Sequence, residues 1–187
     1  MSSERPLAGQ SALVTGASRG IGEAVARRLA DAGARVHLLA RRSRVLDRLA
    51  AELGGRAWTV DLADQDTLGT LLSGLVEEEG APDVLVNAAG VFDVGAFAET
   101  PIEVFDRALY ANLRGPFLVI RALLPAMLAR GTGTIVTIGS VAGHRAFPGN
   151  AAYSASKYGL RGLLVVLGEE LRGTGVRSTL VEPAATD

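Results

Sequence analysis

The chain has 187 residues, 48% of them hydrophobic, with a net charge of -1 and a pI near 6.1. That is enough for the core of one domain, and it offers no broad basic surface for nucleic acid and no cysteine for a disulfide or thiolate metal site. The histidines, His37 and His144, are too few and too far apart to hold a metal, no apolar run approaches the ~18 residues of a membrane span, and Met1 to Gln10 lacks a signal-peptide core. These features point to an intracellular, cytoplasmic protein that acts on small molecules, with neither nucleic acid nor membrane as partner.

The first predicted strand runs from Ser11 to Thr15, and a helical pattern from Gly20 to Ala32 follows through Ile21, Ala24, Val25 and Leu29. Between them lies the turn Thr15-Gly-Ala-Ser-Arg-Gly-Ile-Gly22. Glycines at 16, 20 and 22 permit a tight turn and let an anion approach the backbone at a helix N-terminus, which is how a pyrophosphate is held. The spacing is G-x-x-x-G-x-G, and placement between strand and helix is what gives it weight. A second strand, Val36 to Ala40, leads into an arginine-rich helix from Ser43 to Leu53. At that strand's end, where a carboxylate would take the ribose 2'-hydroxyl of NAD, the chain reads Ala40-Arg41-Arg42. Arg19 and Arg41 instead suit a 2'-phosphate, so the expected cofactor is NADP(H) rather than NAD(H).

The alternation continues with a strand at Ala57 to Val60, a helix at Asp64 to Glu79 with Asp64 as N-cap, and a strand at Asp83 to Val86 that runs into Asn87-Ala-Ala-Gly90. A long helical pattern spans Ile102 to Arg130, with a kink expected between Asn112 and Pro116 because Pro116 interrupts it. Thr134 to Ile138 forms a fifth strand ending in Gly139-Ser140. A helix from Asn150 to Leu171 stops at Gly173-Thr-Gly175, and Arg177 to Val181 forms a sixth strand. Strands alternating with helices imply an α/β fold, a doubly wound parallel sheet in three α/β/α layers.

Tyr153 and Lys157 stand four residues apart in the last helix, hence on one of its faces. Of 19 basic residues 18 are arginine, and the one lysine is Lys157. A compact ammonium can approach a phenol and lower its pKa from about 10, letting it trade a proton near neutrality, which a bulky guanidinium does less readily. Ser140 and Tyr153 would supply a developing alkoxide with donors from two different elements.

Together the Thr15 to Gly22 turn, Asn87-Ala-Ala-Gly90, Asn112, Ser140, and Tyr153 with Lys157 resemble the short-chain dehydrogenase/reductase family over essentially the whole chain. The resemblance implies one Rossmann-type, dinucleotide-binding oxidoreductase domain over residues 1–187. In it hydride passes between nicotinamide and a carbonyl or secondary alcohol while Tyr153 carries the proton. Lys157 would bind the nicotinamide ribose, Ser140 the substrate oxygen, and the Asn112 carbonyl a water linking Lys157 to solvent. Cofactor contacts fall on Gly16, Ser18, Arg19, Gly20, Ile21, Gly22, Arg41, Asp61, Leu62, Asn87, Ala88, Gly90, Tyr153, Lys157, Pro183 and Thr186. The chain departs from the family pattern in having Ala184 where a glycine usually follows Pro183. It also contains neither the substrate-covering segment, the further helix nor the seventh strand that follow the sixth strand in such proteins. A homo-oligomer, dimer or tetramer, is implied through the helices that carry Asn112 and Tyr153. The alternative is a regulatory or redox-sensing protein that binds NADP(H) without turnover.

Overall fold

Six short apolar segments pair in parallel, and the helices between them cover both faces of the resulting sheet. The computed structural model describes residues 5–41 and 43–184. In chain order the elements are β1 (Ser11–Thr15), α1 (Gly20–Asp31), β2 (Arg35–Ala40), α2 (Ser43–Leu53), β3 (Arg56–Thr59), α3 (Gln65–Glu79), β4 (Val84–Asn87), α4 (Ile102–Leu109), α5 (Gly115–Arg130), β5 (Gly133–Ile138), α6 (Ala151–Glu170) and β6 (Val176–Val181). The sheet order is β3-β2-β1-β4-β5-β6. The chain therefore winds outward from β1 to one edge, crosses back to β4 and winds to the other. β1 and β4 are hydrogen-bonded in register, Thr15 opposite Asn87, and the connections that leave their C-terminal ends diverge there. In open parallel sheets this divergence is where a ligand crevice opens.

Alternation along the strands sends neighbouring side chains to opposite cores. Leu13, Leu39, Leu85 and Ile135 join Leu72 of α3, Leu123 of α5 and Leu160 of α6 in one cluster. Val14, Val36, Leu38 and Val86 pack on the other side with Ala26 of α1 and Leu46 and Leu49 of α2. The expected N-cap at Asp64 is present, its Oδ1 accepting from the Thr67 N–H at 3.1 Å. His37 is buried at 2% exposure, where its Nδ1 accepts from Trp58 Nε1 at 3.3 Å and its Nε2 lies 3.4 Å from Glu79 Oε2. Its role is packing within the sheet.

The expected kink takes a different form. Helical backbone continues from Ile102 to Arg130 through a π-helical turn at Tyr110–Arg114, closed by the Gly115 N–H donating to the Tyr110 carbonyl. Pro116 sits in the first turn of α5, where a missing N–H is tolerated. The extra residue in the π turn absorbs what would otherwise be a break, and it leaves Asn112 fully buried. By length and composition the run Ile102–Arg130 is also apolar enough to cross a membrane. In this fold that apolarity supplies core contacts, with Val119, Leu123 and Met127 all at 0% exposure. Two short 3-10 turns, Phe97–Glu99 and Val141–Gly143, have no counterpart in the sequence periodicity.

At the opposite end of the sheet, Gly175 has φ +80°, and a Cβ there would lie 2.0 Å from the Gly131 carbonyl oxygen. Gly175→Ala is expected to lower stability by about 1–3 kcal/mol. Thermal unfolding would register the loss, while nucleotide binding at the far edge stays unchanged.

Candidate active site

The glycine turn closes against the loop after β4 through the Thr15 side chain and a close backbone approach at Gly16. Thr15 Oγ1 accepts from the N–H groups of Ala88 and Ala89, both at 3.2 Å. Gly16 has φ +69°, and a Cβ on it would lie 2.6 Å from Ala89 Cα. A Cβ on Gly22 would meet the Gly16 carbonyl oxygen at 2.4 Å, so α1 also begins directly on the turn. Arg19 holds the N-cap of this 12-residue helix in an extended conformation without a side-chain capping bond, so the orphan donors of the first turn are not capped by it. Ser18 and Ile21 are half-buried; Arg19 and Gly20 are exposed. These features match an anion cradle whose floor no side chain fills.

Around this cradle the predicted cofactor residues divide. Arg41, just beyond β2, places Nη1 3.7 Å from Asp61 Oδ2 with both side chains more than half exposed, a weak pair that leaves the guanidinium available. Asp61 Oδ1 also accepts from the Ala63 N–H at 3.0 Å. Leu62 points its side chain inward, where a Cβ on Gly115 would touch its Cδ1 at 3.0 Å, so backbone alone is left to face a ligand. Asn87 is buried and donates to Thr137 Oγ1 at 3.3 Å, while its Oδ1 has no partner among the described residues. Ala88 is half-buried and Gly90 exposed. Pro183 accepts the Val141 N–H at 3.2 Å, and among the described residues no non-glycine has positive φ, so Ala184 replaces the expected glycine without strain. Thr186 and Arg42 lie outside the described residues.

The second group gathers where β5 meets α6. Lys157 is buried at 5% exposure and donates from Nζ to the carbonyl of Ile138 at 2.8 Å, two residues before Ser140. The same Nζ lies 5.7 Å from the centroid of the Tyr153 ring. Ser140 Oγ accepts from the Ala142 N–H at 3.1 Å, capping the 3-10 turn and leaving its hydroxyl proton free to donate. Lys157 thus links the helix face that carries Tyr153 to the strand end that leads into Ser140.

Asn112 acts through its side chain in a way the sequence reading missed. Its Oδ1 accepts from the Val91 N–H at 2.8 Å, and its Nδ2 donates to the Val91 carbonyl at 2.9 Å and to Ser156 Oγ at 3.0 Å. Ser156 in turn donates to the Tyr153 carbonyl at 2.7 Å. Glu182 was also missed: it accepts from Arg161 at 2.6 Å and lies 3.4 Å from His144 Nδ1, behind the turn that carries Ser140. A serine between Tyr153 and Lys157 was visible in the sequence as a polar residue on a helix, whereas Glu182 had no local signal at all. Two surface cavities of about 370 and 580 Å³ lie away from this group, one beside Arg35 and Asp83 at the N-terminal ends of the central strands and one between α3 and α5.

A family model described as short chain dehydrogenase matches residues 10–187. The chain is 40% identical over 186 residues to the glycine betaine reductase ATRR of Emericella nidulans, covering 97% of this chain and 15% of that much longer protein. It is 38% identical over 182 residues to D-threitol dehydrogenase of Mycolicibacterium smegmatis, covering 95% of this chain and 70% of that one. Among solved structures, a metagenomic short-chain oxidoreductase in complex with NADP aligns at 42% identity and a TM-score of 0.90, over 96% of this chain and 84% of the other.

Burial pushes the Lys157 pKa down from 10.5 to about 8. Below pH 8 the ammonium is charged in both folded and unfolded chains, and the full desolvation cost opposes folding. As pH rises from about 8 towards 10.5 the folded chain loses this proton first, so that cost is relieved and stability rises. The wild type is expected to gain on the order of 3 kcal/mol over this window relative to Lys157→Met. Paired denaturant titrations across the window would measure it, and parallel slopes would contradict it.

Proposed function

The chain belongs to the short-chain dehydrogenase family, and from that premise we propose that it is an NADP(H)-dependent oxidoreductase of carbonyls and secondary alcohols. Tyr153 is its proton carrier. The observation that carries this reading is the buried ammonium of Lys157 lying 5.7 Å from the Tyr153 ring while bonded to the strand end that presents Ser140. A charge kept at such desolvation cost is rare unless it acts on a neighbour.

The residues fit a dinucleotide. Gly16 lets the turn pack on the loop after β4, where a Cβ would meet Ala89 Cα at 2.6 Å, while a Cβ on Gly20 would have open space around it, which suits a pyrophosphate over the N-terminus of α1. Arg19, at the N-cap of α1, and Arg41, just beyond β2, would take a 2'-phosphate, and the neighbouring solved structure holds NADP. When bound, the nicotinamide supplies or accepts the hydride. Ser140 donates a hydrogen bond to the substrate oxygen, and Tyr153 gives that oxygen a proton during reduction or removes it during oxidation. Lys157 stabilises negative charge developing on the phenol oxygen. Asn112 keeps α6 and the loop after β4 in fixed relation while this happens.

NADPH consumption by the purified protein with a panel of ketones, aldehydes and quinones tests the reading. Tyr153→Phe is expected to lower kcat/KM by about 100-fold or more while cofactor affinity stays within about threefold. NADPH binding without turnover on any member of the panel would sink the enzymatic reading in favour of a regulator. Arg41→Ala is expected to weaken NADPH binding about tenfold, the loss of one charge-assisted pair, and to leave NADH binding unaltered in fluorescence titrations.

A further inference from the structure

Phe92 is 60% exposed, yet its position is tightly determined. Its neighbour Val91 is clamped through both backbone groups by the Asn112 side chain, at 2.8 and 2.9 Å. Asn112 is tied to Ser156, and Ser156 to the Tyr153 carbonyl. The circuit closes through space, because the Phe92 ring meets the Tyr153 ring edge-on with centroids 4.9 Å apart and planes at 85°. An aromatic ring held in water forgoes the free energy of its burial, and here it is held directly beside the proposed proton carrier.

The surroundings are of the same character. Val94 is 65% and Phe147 42% exposed. The loops that carry them are joined by the Gly95 N–H donating to the Gly149 carbonyl at 2.9 Å. Asp93, the acidic residue between Phe92 and Val94, is paired with Arg107 at 2.9 Å, which satisfies its charge within the protein. Two loops from different strand ends thus meet just before α6, one setting Phe92 against Tyr153 and the other carrying the exposed Phe147.

We propose that Phe92 is a specificity-determining wall of the substrate site, and that with Val94 and Phe147 it selects carbonyl compounds bearing an aryl or bulky alkyl substituent over polar ones. This rests on the oxidoreductase reading above. Phe92 fixes one side of the space in front of the Tyr153 hydroxyl, and the substituent stacks where water now touches the ring. The carbonyl oxygen is left to Ser140 and Tyr153.

The test compares acetophenone, dihydroxyacetone and pyruvate as substrates of the NADPH-loaded protein, in wild type, Phe92→Ala and Phe92→Leu. The wild type is expected to favour acetophenone by about tenfold or more in kcat/KM. Phe92→Ala should erase most of that preference through KM, Phe92→Leu should keep part of it, and NADPH affinity should be unchanged in both. A wild-type preference for dihydroxyacetone overturns the proposal, as does a preference for pyruvate, which would assign recognition to the exposed Arg145 in the facing loop. A preference for acetophenone that survives in Phe92→Ala also overturns it. Saturation-transfer NMR of acetophenone on the NADP-loaded protein reads contact without turnover. Contact that is lost in Phe92→Ala, with no carbonyl reduced, supports the apolar wall and removes the oxidoreductase reading. Neither contact nor turnover removes both.

Discussion

The architecture around the site depends on one buried cation. Lys157 takes its ammonium out of water and holds it with a 2.8 Å hydrogen bond to the last carbonyl of β5. Desolvation of that charge is expensive, and the cost is met by the rest of the fold. In return, α6 is pinned to the strand end that leads into Ser140, and the phenol of Tyr153 is placed beside a positive charge. Arginine, which fills every other basic position in the chain, could not serve in the same way. Its planar guanidinium is larger, and its donors fan outward where a single compact group must point at one carbonyl.

A second constraint works at right angles to the first. The π turn at Tyr110–Arg114 rotates Asn112 into the interior, where its amide bonds to the backbone of Val91 as a short strand segment would. A buried amide is costly when unsatisfied and ordering when satisfied. Both polar ends of this one are used, and the effect is to join the loop after β4 to α6 across the mouth of the crevice. The proposed acid, the loop that faces it and the exposed Phe92 are consequently joined by one chain of hydrogen bonds and a ring contact.

The cofactor side follows a different physical rule. At the divergence of β1 and β4 two loops approach so closely that only backbone fits, as the contact between Gly16 and Ala89 makes plain. Inside, the Thr15 hydroxyl fastens the two loops, and towards solvent Arg41 and Asp61 form only a weak, more than half exposed pair. On the proposed reading, such a floor does not itself tell one nicotinamide dinucleotide from another, and discrimination is left to the exposed rim.

Much of this was legible in the amino-acid order. Periodicity located all the strands and long helices to within one residue at each end, because each core-facing element must repeat its apolar residues at its own spacing. The glycine turn, Asn112, Ser140, Tyr153 and Lys157 were recognisable for a related reason: chemistry that needs a bare backbone or a lone amine allows few substitutes. What the order of residues left undetermined was every relation between elements distant in the chain. Asn112 as a clamp on Val91, Glu182 behind the Ser140 turn and Phe92 against Tyr153 all join residues from separate strand ends or helices. No local pattern encodes such pairings. They exist only once the crossover from β3 has set β4 beside β1 and brought the C-terminal strand ends together, and packing density then decides which side chains touch.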